Sequence, residues 1–400
     1  MDFPFRRRGL PLLSGLAVAA GLLLSSCGGG SSSSGPAPPL PNGQIGSIGL
    51  LPSYGPANCY ISDIKACSTT SGSVGANAIT ALAAATVGSG TSATNVLYWG
   101  DSGGNIYFLS NPTSTSPTTI SSSSNSCGSS LNTKILSLAV VPSSTSPELF
   151  YATSGGVYEG TLTPGTGACS SSSGTLITSS YTGSLTYTTG LVIGVTGGAR
   201  YFSCSTGTSP SCSASPTPLP GLVDTSPRIT AIASDPQYPT IVYVLAIGVN
   251  TGRIYAYQVG SGGTLTYLTN YSGTELNGPS GIALFEGKTG TQNFCTIGPC
   301  TFMDVTNAGN TTITQYVVTY SFSGNTPNGV SINQFNNAYY NCDLVNPGPI
   351  AAIPLPGTSG TLNVPDVFVG ERGMGTVPCL GLTSAGSFGN NITAYAVTNE

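Results

Sequence analysis

A degenerate repeat of short apolar strands constrains the fold of this chain most strongly. Each unit has a hydrophobic strand, a Gly-containing turn and a second strand with an aromatic residue near its centre. Six units can be read, at residues 95–110, 148–162, 191–205, 240–259, 301–322 and 366–397. Runs of β-branched and aromatic residues bounded by Gly, Pro, Asn and Ser are typical of strands. No stretch of these units sustains a helical apolar stripe, so the sequence predicts an all-β fold.

Further strand candidates flank the repeat units and extend them to four strands. Short apolar segments precede several units, at residues 79–85, 135–141, 229–235 and 281–286. Segments that begin Gly-Thr-Leu follow two units, at residues 174–180 and 263–269. Four antiparallel strands repeated at roughly 40 to 60 residues are typical of β-propeller blades.

The predicted architecture is a single β-propeller of six or seven four-stranded antiparallel blades. One such sheet cannot bury both of its apolar faces, whereas radial stacking of twisted sheets does so and leaves short edges. A pair of β-sandwiches and a β-solenoid are the alternatives. The chain ends in the strand NNITAYAV (390–397), which leaves the last unit one strand short. We expect residues 45–51 or 59–64 to complete that blade and close the ring.

The N-terminal region has the pattern of an export signal. Residues 6–8 are all Arg, and an apolar stretch follows from Leu10 to Leu24. This stretch is short for a membrane span. The tetrapeptide Leu24-Ser25-Ser26-Cys27 resembles the lipobox of bacterial lipoproteins, in which the thiol receives a diacylglycerol before cleavage. An uncleaved anchor with an incidental Cys is the alternative.

These features predict three segments with different roles. Residues 1–26 form a lipoprotein signal peptide, residues 27–43 form a lipid-anchored Gly/Ser/Pro tether that begins at Cys27, and residues 44–400 form the β-propeller domain. Gly28 follows the Cys where an Asp would favour retention in the inner membrane. We therefore expect an envelope protein held to the outer membrane by its N-terminal lipid, either periplasmic or surface-exposed.

The cysteine count favours disulfide bonds. The chain has 11 Cys, so lipidation of Cys27 leaves an even number in an exported protein. The spacing predicts the bridges Cys59–Cys67, Cys127–Cys169, Cys204–Cys212, Cys295–Cys300 and Cys342–Cys379. Metal ligation is the alternative, but the chain has neither a C-x-x-C pair nor any His. We predict no metal site.

The charge content excludes some classes of function. Only 6% of residues are charged, and the net charge is −4, so the chain cannot neutralise a run of phosphates and nucleic acid is not an expected partner. The absence of His excludes a Ser-His-Asp or Cys-His nucleophile. The Gly-rich stretches match no nucleotide-binding fingerprint, and we predict no cofactor.

The residue pattern of several units resembles that of the blades of lactonase-like and YVTN-repeat propellers. The segments GRIYAYQVGSGGTLTYL (252–268), NTTITQYVVTYSFSG (310–324) and NNITAYAVTNE (390–400) carry the resemblance. It implies a propeller fold, seven-bladed in the lactonase branch. Some lactonase-like members open sugar lactones with polar residues that include His. This chain has no His, so that activity cannot be transferred residue by residue.

Two charged positions are weak candidates for ligand binding. Asp101 in WGDSGG and the pair Glu371-Arg372 in VGERGMG lie where the second strand of a unit turns into the third. Adjacent Gly residues permit close backbone approach there. The alternative is that Asp101 bonds its own turn and that Glu371 is a solvated loop charge. No catalytic residue is predicted.

Three functions follow, from different classes. The first is a non-catalytic binding or scaffolding propeller on the cell envelope that recognises a protein, a glycan or an envelope polymer. The second is a lactonase-like or glycan-cleaving enzyme with a divergent site that lacks His, which would need a convergent pair of carboxylates. The third is a structural subunit of a surface assembly, which would need a broad apolar face.

Overall fold

The computed structural model consists of strands and turns. It describes residues 48–54, 77–90, 93–112, 127, 131–142, 146–170, 174–180, 182–195, 198–205, 211–212, 217–218, 220, 227–248, 251–260, 263–286, 288–289, 292–293, 295, 298–310, 312–334, 339–340, 346–354, 365–371, 376–377, 382–383 and 392–397. Within these ranges no helix has the length and hydropathy needed to cross a membrane.

The strands are numbered in chain order. The first fifteen are β1 (Ile48–Tyr54), β2 (Ile79–Val87), β3 (Thr94–Asp101), β4 (Ile106–Ser110), β5 (Ile135–Val141), β6 (Glu148–Thr153), β7 (Gly156–Thr161), β8 (Thr175–Thr178), β9 (Leu185–Tyr187), β10 (Leu191–Val195), β11 (Gly198–Phe202), β12 (Cys204–Ser205), β13 (Ser211–Cys212), β14 (Thr217–Pro218) and β15 (Arg228–Ser234). The others are β16 (Ile241–Ile247), β17 (Gly252–Val259), β18 (Leu265–Tyr271), β19 (Pro279–Glu286), β20 (Lys288–Thr289), β21 (Gln292–Asn293), β22 (Cys300–Asn307), β23 (Thr312–Ser323), β24 (Thr326–Gln334), β25 (Tyr339–Tyr340), β26 (Pro347–Pro354), β27 (Pro365–Glu371), β28 (Thr376–Val377), β29 (Leu382–Thr383) and β30 (Ile392–Val397).

Twenty-four of the thirty described strands form six antiparallel sheets arranged as the blades of a β-propeller, and the pairs β12-β13, β20-β21 and β28-β29 form two-stranded sheets. From the innermost strand outward they are blade 1 (β2-β3-β4), blade 2 (β5-β6-β7-β8), blade 3 (β9-β10-β11-β14), blade 4 (β15-β16-β17-β18), blade 5 (β19-β22-β23-β24, with β25 also on β23) and blade 6 (β26-β27-β30-β1). The described strands of blade 1 number three, and those of each other blade at least four. The predicted all-β propeller is therefore confirmed.

The repeat read from the sequence corresponds to the second and third strands of each blade. The first unit, residues 95–110, contains β3 and β4, and the other five units match the same pair of strands in blades 2 to 6. The four apolar segments that precede units are the innermost strands β2, β5, β15 and β19. The innermost strands β9 and β26 were not predicted, because one is only three residues long and the other contains three Pro.

An N-terminal strand closes the ring. β1 pairs antiparallel with β30, with Leu50 opposite Tyr395, and becomes the outermost strand of blade 6. The innermost strands β26 and β2 contact each other, so blade 6 adjoins blade 1. Of the two segments expected to complete the last blade, 45–51 overlaps β1, and this expectation is confirmed. Residues 59–64 lie outside the described ranges.

Small residues on the second strands allow the blades to approach closely. A Cβ placed on Gly100 would lie 2.4 Å from the Ile135 side chain of the next blade. Gly194 has the same relation to Ile229 across blades 3 and 4, at 2.5 Å. Since real Cβ atoms do not approach so near, each Gly creates the space that an isoleucine of the following innermost strand fills.

The predicted disulfides lie partly within and partly outside the described residues. Disulfides join Cys127 to Cys169 and Cys295 to Cys300, as predicted. Cys204 is also disulfide-bonded, and its partner in the β12–β13 ladder is Cys212. The predicted pairs Cys59–Cys67 and Cys342–Cys379 lie outside the described residues, as does Cys27.

Candidate functional site in the central channel and its surroundings

The six innermost strands surround a central channel. A ring of six aliphatic side chains, one from each blade, crosses it, and we call this the aliphatic ring. Its members are Leu82, Leu138, Leu185, Ile232, Ile282 and Ile350, and all are buried. They occupy equivalent positions because each innermost strand is paired with its neighbour in the same way. The ring thus arises from the apolar periodicity of the innermost strands.

The aliphatic ring lies between two cavities. The cavity at the face where the innermost strands begin, the first face, has a volume of about 60 Å³. The cavity at the opposite end, the second face, has a volume of about 180 Å³. Both cavities are lined by all six ring residues. The channel therefore consists of two chambers that meet at an apolar constriction.

The side chains that line both chambers are uncharged. Hydroxyl groups line the first chamber, and they belong to Thr80, Ser137, Ser184, Thr230 and Ser280. Alanine and aliphatic residues dominate the second chamber, together with Tyr187 and Ser234. Among the described residues, neither lining contains an Asp, Glu, Lys or Arg. Such a surface supplies van der Waals contacts and neutral hydrogen bonds, and it lacks the charged groups that serve acid–base or oxyanion chemistry.

Several of these hydroxyl groups connect adjacent blades. Thr80 Oγ1 donates to the carbonyl oxygen of Ile135 at 2.5 Å, which joins blade 1 to blade 2. Ser137 Oγ accepts from the Leu185 amide at 2.9 Å, which joins blade 2 to blade 3. Ser280 Oγ donates to a carbonyl of blade 6 at 2.7 Å. These hydroxyl groups therefore help to hold adjacent blades of the propeller together.

Asp101 holds the turn that follows β3. Its Oδ1 accepts from the backbone amides of Gly103 and Asn105, each at 2.9 Å. Its Oδ2 accepts from the side-chain amides of Asn105, at 2.8 Å, and of Asn77, at 3.2 Å. The carboxylate is buried, and both oxygens are engaged within its own blade. These hydrogen bonds to its own turn therefore explain the presence of a carboxylate at position 101. The role of Asp101 as a ligand contact stays a prediction.

Glu371 occupies the position in blade 6 that Asp101 occupies in blade 1. Both residues end the second strand of a blade, paired with Pro347 and Ile79 respectively. Because blades 6 and 1 are neighbours, the fold places the two positions side by side on the first face. The side chain of Glu371 and the whole of Arg372 lie outside the described residues, so the binding role of this pair also stays a prediction.

A buried pair of glutamates in blade 2 was not predicted from the sequence. Glu148 begins β6 and Glu159 lies on β7, and their side chains share a hydrogen bond. Burial, followed by the nearby Glu148 carboxylate, raises the pKa of Glu159 to about 8. The alternation of inward and outward side chains in β6 and β7 could have indicated this pair, because it places both glutamates on the apolar face of the sheet that packs against blade 3.

The geometry of this pair does not suit glycoside hydrolysis. Glycosidases hold their two carboxyl groups about 5–9.5 Å apart, so that the sugar or a water molecule fits between them. Glu148 and Glu159 are in direct hydrogen-bond contact and almost entirely buried. The pair is better explained as two carboxyl groups that share a proton within the interface between blades 2 and 3.

Two further buried carboxylates belong to the seams around blade 5. Asp304 Oδ1 accepts from Gln315 Nε2 at 3.0 Å, and burial raises the pKa of Asp304 to about 7. Asp235 lies between blades 4 and 5 and accepts from the hydroxyl groups of Tyr243, Tyr320 and Thr301. Burial raises the pKa of Asp235, although its hydrogen bonds oppose the shift.

Metal ligation finds no support in the described part of the chain. Within it, no group of three His, Cys, Asp or Glu residues converges on one point. The paired carboxylates described above make contacts to protein groups and lie within blade interfaces.

Comparisons with known proteins show no family for this chain. No family model matches the chain, and no curated protein matches it. Among solved structures, AofleA from Arthrobotrys oligospora aligns with a TM-score of 0.45 and 12% identity, over 74% of this chain and 81% of that one. The PQQ-bound aldose sugar dehydrogenase from Streptomyces coelicolor aligns with a TM-score of 0.43 and 10% identity, over 88% and 98%. The Dos1 propeller aligns with a TM-score of 0.40 and 11% identity, over 88% and 96%.

Proposed function

We propose that this protein is a cell-envelope lipoprotein whose β-propeller is a non-catalytic binding or scaffolding module. The observation that carries the proposal is that the described residues lining both channel chambers are uncharged. An enzyme that opens lactones or cleaves glycosides needs a positioned acid, base or cation where charge develops. A neutral, concave surface on a rigid ring suits recognition instead.

The buried carboxylates support the same conclusion. Asp101, Asp235 and the Glu148–Glu159 pair are each held by hydrogen bonds within or between blades. Groups committed in this way stabilise the fold, and they do not face a chamber of the channel. Attachment through Cys27, as the lipobox predicts, would hold the module at the membrane surface and place its faces near envelope protein or glycan.

The proposal is tested by two measurements on the purified full chain. The first is a hydrolysis screen with lactones and glycosides at neutral and acidic pH, in which we expect no turnover above buffer. Turnover lost in Asp101→Asn or Glu371→Gln, but kept in a variant of an exposed glutamate such as Glu286→Gln, would contradict it. The second is co-sedimentation with isolated cell envelopes, in which we expect saturable binding.

A further inference from the structure

Three aromatic side chains meet at the second face of the propeller, where blades 4 and 5 adjoin. They are Tyr238, in the loop between β15 and β16, and Tyr320 and Phe322, near the end of β23. We call them the aromatic platform. The ring centroids of Tyr238 and Tyr320 lie 4.6 Å apart, and those of Tyr238 and Phe322 lie 5.7 Å apart, both edge-to-face. Phe322 is 39% exposed, which is unusual for a large apolar side chain in the described residues.

The platform is held rigidly from below by Asp235. The Tyr320 hydroxyl donates to Asp235 Oδ2, and its oxygen lies 2.6 Å from Thr301 Oγ1. The backbone amide of Tyr238 donates to Asp235 Oδ1 at 3.0 Å. One buried carboxylate thus orients the Tyr320 ring and holds the backbone that carries Tyr238, which reduces the entropy lost when a ligand orders the platform.

The two chain segments that carry the platform are polar and uncharged on either side of its rings, and the nearest carboxylate is the buried Asp235 beneath it. Residues 236–248 and 317–334 contain no Asp, Glu, Lys or Arg. Ser321, Ser323 and Asn325 are exposed on either side of Phe322. Gln237 Oε1, next to Tyr238, is buried without a hydrogen-bond partner among the described residues. Because this oxygen is buried, the polar groups that a ligand at the surface can reach are those of Ser321, Ser323 and Asn325.

We propose that the aromatic platform binds the ring of a neutral pyranose within a glycan. Such a ring has an apolar C–H face, which fits against aromatic side chains, and a rim of hydroxyl groups, which pair with exposed hydroxyls and amides such as those of Ser321 and Asn325. The two segments supply no Lys or Arg to pair with an anion, and the Asp235 carboxylate lies beneath the rings, so an uncharged sugar is favoured over acidic saccharides and lipid phosphates. This inference rests on the proposed binding function and names its ligand class.

The test is saturation-transfer NMR on the full chain. The probes are the methyl pyranosides of glucose, galactose, mannose and fucose, with glucuronic acid as a charged comparison. We expect saturation of the ring C–H protons for at least one neutral probe and none for glucuronic acid. Phe322→Ala should weaken that binding about five- to tenfold. Phe322→Tyr should retain it, because the ring face is preserved.

A matched control lies on the outermost strand of blade 4. Tyr267 is 37% exposed and faces away from the platform, so Tyr267→Ala should leave binding unchanged. No saturation transfer to any neutral probe, or equal transfer to Phe322→Ala and the unsubstituted chain, would overturn the inference. Binding of intact envelopes combined with no saturation transfer to any neutral probe would leave the proposed function standing and the platform refuted. Product signals in the spectra would contradict the proposed function instead.

Discussion

Glu159 shares a buried hydrogen bond with Glu148 on the neighbouring strand of blade 2, at the interface with blade 3. Only 5% of Glu159 and 1% of Glu148 are exposed. Two carboxylates in such a place cannot both be ionised without a large free-energy cost, so the folded state retains a proton between them. The stability of the folded state therefore depends on protonation of this glutamate pair.

The first prediction concerns stability against pH. The pKa of Glu159 is raised from 4.5 to about 8, so between these values the folded chain holds a proton that the unfolded chain loses. The free energy of unfolding should fall as the pH rises through this window, by up to about 1.4 kcal/mol per pH unit for one group. Asp304, with a pKa near 7, acts in the same direction. Urea denaturation at several pH values between 5 and 8.5 measures the effect.

Variants separate this pair from the remaining carboxylates. Glu159→Gln removes the titration and should flatten part of the slope, with most of the gain in stability near pH 8. Glu286→Gln, at an exposed glutamate of β19, should leave the slope as it is. A chain that is more stable at pH 8 than at pH 5 would show that the shared proton does not govern stability.

The second prediction concerns the aliphatic ring. Leu138→Ala should lower the free energy of unfolding by about 2–4 kcal/mol, because it removes buried contacts and opens a space at the constriction. Leu176→Ala, in the same blade, is the control, since Leu176 is 51% exposed and should change stability by less than about 0.5 kcal/mol. Equal effects of the two substitutions in chemical denaturation would mean that the ring is not tightly packed.

Much of the propeller could be predicted because its signal is local. Each blade repeats the same alternation of apolar residues, and Gly marks the turn between its second and third strands, as in WGDSGG around Trp99. The innermost strand β26 was not predicted because it contains three prolines, which are uncommon within strands. The strand β9 was not predicted because three residues are too few to show an alternating pattern. Ring closure by β1 was predictable by counting, since the last unit lacked one strand.

The candidate sites were harder to predict because they depend on which residues of distant strands meet. The aliphatic ring combines one residue from each of six blades, and no local pattern distinguishes these residues from other apolar positions. Glu148 and Glu159 are eleven residues apart and lie among ordinary strand residues, so only the register of β6 and β7 brings them together. Asp101, in contrast, was readable as a turn residue from its Gly neighbours.

The third prediction concerns ring closure. Deleting residues 44–54 removes β1 and leaves β30 as an open edge, so the melting temperature should fall and protease cleavage within blade 6 should accelerate. Deleting the tether residues 28–40 is the control, and it should change neither value. An unchanged melting temperature without β1 would mean that another segment completes the blade.

The fourth prediction compares two disulfides that enclose loops of different length. Cys127–Cys169 spans 42 residues and Cys295–Cys300 spans five. On the loop-entropy model their loss should cost about 4 and about 2 kcal/mol, respectively. Double Cys→Ser variants at each bridge, measured by denaturation under non-reducing conditions, give the two values. A larger loss at Cys295–Cys300 would be inconsistent with an entropic origin.

The most direct test of the account is to follow a bound ligand for a day in one NMR sample. The ligand is the neutral pyranoside that gives the strongest saturation transfer, kept with the purified full chain at pH 5 and at pH 7.5. The account predicts that the ligand exchanges on and off the protein and is recovered unchanged at both pH values. Conversion of the ligand to a hydrolysed product, abolished by Glu159→Gln in folded protein, would contradict it.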